Sequence, residues 1–385
     1  MNEFREEHRL ILAEVERFGT DLDPADMLRR DAEHVPPYDF LPQLGELGLI
    51  RAALPEEHGG LGLPWALFCR VQETIGYYAQ PVGSILNRVI SFGALPVILF
   101  GSEAQRSALL PDLLDGKLLV ALALSEPGAG SDTRALTTRA TKVDGGWRID
   151  GRKTWISDAE RADYLMTPCR IAGEDKKRFV TFLVPRATAG IAMTGIPKVG
   201  NNCMPSFDIG YDEVFVSDEA VLGEVGRGME PIHGTLKYSR TSLSALLIGA
   251  GRACVDLATM HARERIQFGQ PISAFQAVRH KIVDMAVENE KARQIVYAFA
   301  RAVDAGDDVD ALGAMAKITA TEMFQFVTDR GMQVLASAGY ASDNPMQMHW
   351  RNARLYSIGE GANEIQREII ARTMGLIPPR QGSPT

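Results

Sequence analysis

The chain has 385 residues, 45% of them hydrophobic and 23% charged, a balance that fits a folded protein of two or three domains and excludes disordered, collagen-like and coiled-coil chains. Its 41 basic and 49 acidic residues leave a formal charge of −8, which offers no global attraction for nucleic acid or anionic lipid. The four cysteines, Cys69, Cys169, Cys203 and Cys254, are far apart with no C-x-x-C pair, against a disulfide framework or a structural zinc site.

Up to about residue 117, apolar residues recur at three- and four-residue steps, as in Phe4, Leu10, Ile11, Val15 and Phe18, so residues 1–117 read as an α-helical domain. Pro/Gly-rich stretches at Val35-Pro36-Pro37 and from Leu54 to Gly62 interrupt it as ordered loops. The charged start, Met1 to Glu7, is unlike a signal peptide, and the longest unbroken apolar run, Leu118 to Leu124, is far short of a membrane span. A cytoplasmic protein with no membrane association is expected.

Residues 118–225 change to short alternating runs and read as a β domain. Thr137 to Val143, Trp147 to Ile149 and Lys153 to Ser157 are separated by Asp144-Gly145 and Asp150-Gly151, a pattern that predicts two successive hairpins. Further strands are expected at Phe179 to Val184 and Glu213 to Val216. A period near 3.6 returns over residues 226–377, where Leu243, Leu246, Leu247, Ala250, Cys254, Leu257 and His261 trace one helix face. Long amphipathic segments of this kind predict an antiparallel bundle. Residues 378–385 read as a flexible tail. The fold class expected is α+β, mostly α.

Common catalytic signatures are missing: there is no P-loop, H-E-x-x-H, G-x-S-x-G or complete G-x-G-x-x-G. The seven histidines have no metal-ligand spacing, and no metal is expected. One loop, Leu124-Ser125-Glu126-Pro127-Gly128-Ala129-Gly130-Ser131-Asp132, follows an apolar strand with small residues that can turn backbone N–H groups toward an anion or a ring edge. It reads equally as a glycine turn. Downstream, Lys153-Thr154-Trp155-Ile156-Ser157 puts an indole and a hydroxyl on one strand face by period-two spacing. That pair suits a flat heteroaromatic cofactor, or simply closes the β core.

With these come Arg263-Glu264-Arg265-Ile266-Gln267-Phe268-Gly269-Gln270-Pro271-Ile272, then Phe275-Gln276, and finally Tyr356-Ser357-Ile358-Gly359-Glu360-Gly361-Ala362-Asn363-Glu364-Ile365-Gln366-Arg367. In this order, over nearly all of residues 5–377, the chain resembles the acyl-CoA dehydrogenase family. The resemblance implies an N-terminal helical domain, a central antiparallel β domain and a C-terminal four-helix bundle, assembled as a homotetramer (a dimer of dimers). It also implies FAD held without a Rossmann unit. By resemblance, Leu124, Ser125, Gly130 and Ser131 support the flavin ring and pyrophosphate. Trp155 and Ile156 pack at the isoalloxazine, and Ser157 bonds near N5. Arg265, Gln267, Phe268 and Gln276 reach FAD across a dimer interface, and Gln333, Ser337, Ala362 and Glu364 fall at further FAD contacts.

The implied reaction is α,β-desaturation of an acyl-CoA, with electrons passed to an electron-transfer flavoprotein. Glu360 aligns with the catalytic base, and its backbone N–H with a donor to the thioester carbonyl. Some relatives carry the base just before an arginine that aligns with Arg240, but Ser239 stands there and cannot serve. Ser131, Arg240, Gly361, Arg88 and Gly359 are the substrate-side candidates. Gly359, where straight-chain enzymes often carry tyrosine, implies room for a branched or cyclic acyl group. Arg88 falls on the pocket floor by ungapped alignment and is expected to meet either an acidic acyl tail or a protein carboxylate. Ala336 and Ser337 replace the family's two glycines, and Ala362 its threonine, which weakens the expected hold on FAD. An acyl-thioester oxidase, a flavin monooxygenase or a non-catalytic nucleic-acid-binding relative are the alternatives.

Overall fold

A computed structural model describes residues 6–174 and 178–377; the proposed tail at 378–385 lies outside the described residues. Helices α1 (Glu6–Thr20), α2 (Pro24–Glu33) and α3 (Leu41–Glu46) precede α4 (Trp65–Arg88), a π-helical turn (Val89–Ala94), α5 (Leu95–Phe100) and α6 (Glu103–Leu114). Strands follow: β1 (Val120–Leu122), β2 (Arg139–Val143), β3 (Gly146–Ser157), β4 (Tyr164–Ile171), β5 (Phe179–Pro185), β6 (Ile191–Gly195), β7 (Ser206–Ser217) and β8 (Val221–Gly226). Then come α7 (Glu230–Glu264), the short β9 (Ile266–Gln267) and β10 (Gln270–Pro271), α8 (Gln276–Ala305) and α9 (Asp310–Leu335). A single turn, α10 (Ser337–Tyr340), leads to α11 (Pro345–Tyr356) and α12 (Asn363–Thr373).

The boundaries have local causes. Asp23 accepts from the Ala25 N–H and Pro24 opens α2, while Ser102 and Gln105 form a reciprocal capping box on α6. Gly306 ends α8 at φ 75°. Pro81 lies inside α4, and Ala79 just before it leaves helical geometry (φ −151°, ψ 79°), because proline removes an N–H and clashes with the preceding turn. Two apolar stretches, Trp65–Phe100 and Glu230–Glu264, have the length and hydropathy of a membrane span, yet most of each is buried inside the protein.

Compactness does not follow chain order. One unit gathers the helices of residues 6–22, 65–80 and 240–377; the other holds residues 23–64 and the described part of 81–239. In the helical unit, α9 packs against α8, α11 and α12 over a core that includes Leu246, Cys254, Val296, Phe299, Phe324 and Val327. The backbones of α4 and α7 meet there so closely that a Cβ on Gly249 would lie 1.9 Å from the Glu73 carbonyl oxygen, so glycine is required at that crossing.

The other unit is built on a sheet of order β6-β7-β3-β2-β4-β5-β8, with β1 on β4. It is antiparallel except that β1 and β2 each pair parallel with β4, so the antiparallel domain implied by the resemblance carries two parallel pairings. Asp144-Gly145 turns the chain as predicted, but Asp150-Gly151 does not, since β3 runs through it along β7 with a shift of register. Gly151 takes φ 148°, and a Cβ there would lie 2.7 Å from Thr138. The glycine makes a bulge rather than a second hairpin.

Candidate active site

Each compact unit carries one set of the residues singled out in the sequence. In the sheet unit, the loop after β1 folds back on itself, with Glu126 and Ala129 exchanging backbone hydrogen bonds of 3.0 Å. Pro127 and Gly128 form its exposed tip. A Cβ at Gly128 or Gly130 would meet nothing within 4 Å, so the loop presents open space above its backbone. The loop is tied to β3 by the Thr154 N–H donating to the Ser125 carbonyl at 2.9 Å.

Below that tip is a buried ion pair that sequence reasoning passed over. Lys153 Nζ, with no solvent exposure, donates to Glu126 Oε1 at 2.9 Å, to the Pro168 carbonyl at 2.9 Å and to the Leu124 carbonyl at 3.2 Å. Glu126 in turn accepts from the Thr137 and Thr138 N–H groups at 2.6 and 3.0 Å. Burial alone would raise the Glu126 carboxyl, but Lys153 and these donors outweigh it and hold its pKa at about 2. The pair therefore ties the start of the Leu124–Ser131 loop to β3 and to Thr137 and Thr138 beyond it.

Immediately beyond Lys153, β3 bulges between Lys153 and Ile156. Trp155 occupies the bulge at φ 60° and is 55% exposed, whereas Ile156 is buried. A left-handed tryptophan is a real outlier and costs about 1–3 kcal/mol. It turns a large indole face outward beside the Ser125 loop, with Ser157 two residues on. A flat ring has a wall here and polar atoms at its edge.

Arg88 lies in this unit too, and its charge is already matched. Its Nε donates to Asp158 Oδ2 at 2.5 Å and its Nη1 to Ser84 Oγ at 2.7 Å. Tyr38 Oη donates to the other Asp158 oxygen at 2.9 Å. The acidic-tail reading of Arg88 thus loses the unpaired charge on which it was built. The pair instead braces the residue directly after Ser157. Arg88→Met should leave Asp158 buried without its cation and destabilise the protein by about 3–5 kcal/mol. Urea denaturation checks this, and adding Asp158→Asn should restore much of the loss.

The helical unit carries Glu360, on a tight turn between α11 and α12. Glu360 and Gly361 are consecutive left-handed residues, φ 54° and 86°. The positive φ of Gly361 favours glycine there, and a Cβ would also press on Gln366 Nε2 at 2.7 Å. Three hydrogen bonds hold the turn. The Asn363 N–H donates to the Ser357 carbonyl at 3.0 Å; Gln366 Nε2 and Lys317 Nζ donate to the Gly361 carbonyl at 3.0 and 2.9 Å. Gly359 differs: a Cβ there would meet only the Leu355 carbonyl oxygen, at 3.7 Å, so its missing side chain leaves usable space.

Arg240 is inside α7. Burial pushes its guanidinium down while Glu360 and Asp310 pull it up, and its Nε is buried with no hydrogen-bond partner among the described residues. Ala362 takes the cap position of α12 without a side-chain hydrogen bond, and Glu364 is exposed in its first turn.

Arg265, Gln267 and Phe268 are exposed on the β9–β10 ribbon, and Gln276 is exposed at the start of α8. Phe268 is 91% exposed at φ 51°, its ring edge-on to Phe275 at 5.9 Å. Gln333 and Ser337 are exposed on either side of Ala336, which adopts φ 53°, ψ −132°, a conformation suited to glycine.

Each unit by itself carries groups that fit part of FAD: the sheet unit an open indole face, a loop with space over two glycines and hydroxyls at Ser131 and Ser157 that suit the flavin ring, the helical unit exposed arginine, glutamine and phenylalanine side chains that suit a pyrophosphate and a ring. Comparison with known proteins agrees. Three family models match: acyl-CoA dehydrogenase N-terminal domain over residues 5–117, middle domain over 121–214 and C-terminal domain over 226–375. A probable acyl-CoA dehydrogenase of Bacillus subtilis, YngJ, is 34% identical over 351 residues, 89% of this chain and 92% of its own. A glutaryl-coenzyme A dehydrogenase solved with glutaryl-CoA superposes with a TM-score of 0.92 at 30% identity, covering 98% and 97% of the two chains. PigA in complex with FAD superposes with a TM-score of 0.92 at 26% identity, covering 98% and 99%.

Proposed function

Because this chain belongs to the acyl-CoA dehydrogenase family, whose members are FAD-dependent oxidoreductases acting on acyl-CoA, we propose that it desaturates a branched or cyclic acyl-CoA between the α and β carbons with Glu360 as the base. The observation that carries the reading is the turn itself. A carboxylate in left-handed backbone geometry, followed by a glycine that is also left-handed and held by three hydrogen bonds, carries strain that a plain surface turn would not need.

Glu360 takes the α proton onto its carboxylate, while its backbone N–H stabilises the oxygen on which charge develops. When bound, FAD supplies the hydride acceptor for the β hydrogen. Trp155 and the Ser125 loop orient the ring, and Ser157 donates at its edge. Arg265 meets pyrophosphate, as its charge favours. The small Gly359 admits the acyl branch. Exposed Met260, Ile266, Phe268, Val283 and Val287 support burial against further copies in a homotetramer. An electron-transfer flavoprotein receives the electrons, in the cytoplasm.

The test is anaerobic titration of FAD-loaded protein with straight, branched, aromatic and dicarboxylic acyl-CoAs, following loss of flavin absorbance. Branched or cyclic thioesters should bleach the flavin at least about 10-fold faster than straight ones, the discrimination one badly fitted group typically brings. If no acyl-CoA bleaches it, the desaturation reading is wrong. Faster bleaching by straight chains would remove the role given to Gly359.

A further inference from the structure

We propose that Lys317 is the positioning residue of the base: from inside α9 it clamps the Glu360 turn through the Gly361 carbonyl and adds a second positive charge, beside that of Arg240, to the surroundings of Glu360 before it takes the α proton. This rests on the reading of Glu360 as base.

Lys317 has no solvent exposure. Its ammonium donates to two neutral acceptors, the Gly361 carbonyl and Asn363 Oδ1, both at 2.9 Å. Neither cancels its charge. Asn363 is itself fixed, its Nδ2 donating to Thr321 Oγ1 at 3.0 Å one turn along α9. The ammonium therefore bridges the base turn, the first residue of α12 and the interior of α9.

The charged groups around Lys317 are few. Glu360 on the turn, Glu364 on α12 and Glu322 on α9 favour its protonated form, and Arg240 on α7 disfavours it. Glu322 is already paired with Arg367 at 2.6 Å, and Glu364 is exposed. Among these carboxylates Glu360 exerts the largest pull. Burial nevertheless pushes Lys317 down to about 8, so at neutral pH it is largely charged. A side chain needed only to fill α9 would do so better without a charge, since replacing a buried ion by a well-packed apolar group often stabilises. Arg240 on α7 also interacts with Glu360; an ammonium here adds to that attraction, favours ionised Glu360 in the resting enzyme and, through the Gly361 carbonyl, keeps the strained turn in its working shape. Losing it should raise the pH at which the base becomes competent.

The experiment follows exchange of the α protons of phenylacetyl-CoA into D2O by holoenzyme as a function of pH. This thioester has α protons but no hydrogen on a saturated β carbon, so exchange reports proton abstraction without hydride transfer. Wild type is compared with Lys317→Met, Lys317→Gln, Lys317→Arg and Glu360→Gln. In the Met and Gln variants the acid limb of the profile should rise by about one pH unit and the plateau fall about 10-fold as the turn loosens. Lys317→Arg should keep the limb within about 0.3 units of wild type, since arginine stays charged. An unmoved limb in both neutral variants overturns the proposal. So does failure of both to fold with FAD, because the ammonium would then serve the fold. Exchange that survives Glu360→Gln overturns the base reading instead, and this proposal with it.

Discussion

Glu360→Gln is expected to slow flavin bleaching by the best acyl-CoA by about 10²–10⁴-fold, the range a positioned general base contributes, with FAD binding intact. The substitution keeps size and shape while removing the proton acceptor. It leaves the backbone bonds at Ser357 and Gly361 untouched, so the turn should persist. Ser239, the one other position where relatives place a base, is a buried hydroxyl bonded to Asn87 at 3.1 Å, and no second carboxylate stands there to compensate. Rapid-mixing absorbance under anaerobic conditions measures the effect. A variant within about 10-fold of wild type would mean that another group takes the proton. The loss should appear in the bleaching rate at saturating substrate, since an interaction made only in the transition state lowers kcat rather than raising KM.

Lys153→Met is expected to cost stability as heavily as Arg88→Met and to cost cofactor binding as well. It leaves Glu126 buried with its charge uncompensated, a loss of about 3–5 kcal/mol, and frees the start of the loop that the pair ties down, so FAD should wash out during gel filtration. The double variant Lys153→Met/Glu126→Leu should regain part of the stability but not the FAD, because the Thr137 and Thr138 N–H groups lose the acceptor that shapes the loop. The same pair sets an acid limit. The folded-state pKa of Glu126 lies below its ordinary value of 4.5, at about 2; its contribution is complete above pH 4.5 and disappears as pH falls from there toward 2. Acid unfolding of wild type should be steep in that interval and shallower in the double variant. Equal slopes would show that folding does not lower the pKa of Glu126.

Much of the candidate active site is legible in the chain because its motifs are local. The Leu124–Ser131 loop, Trp155 with Ser157, the Arg265–Phe268 ribbon and the Glu360 turn each occupy a few consecutive residues, and their meaning lies in residue type and order. Period and turn chemistry likewise separated helical from β segments. Asp150-Gly151 misled for a local reason: the same dipeptide serves a hairpin turn or a bulge, and the close approach of Thr138 to Gly151 decides between them.

What folding alone settled is the set of groups that hold those motifs in place. Arg88 finds Asp158 70 positions away, Lys317 reaches Gly361 across 44, and Lys153 meets Glu126 across 27. No spacing rule joins such pairs. A buried charge selects its partner through desolvation and distance, which exist only once the chain is packed. The chain's own residues thus pointed to the proposed chemistry, from Trp155 to Glu360. Packing decided between the partners expected of Arg88 in favour of a protein carboxylate, and it brought a lysine without any motif to the Gly361 carbonyl, next to the proposed base.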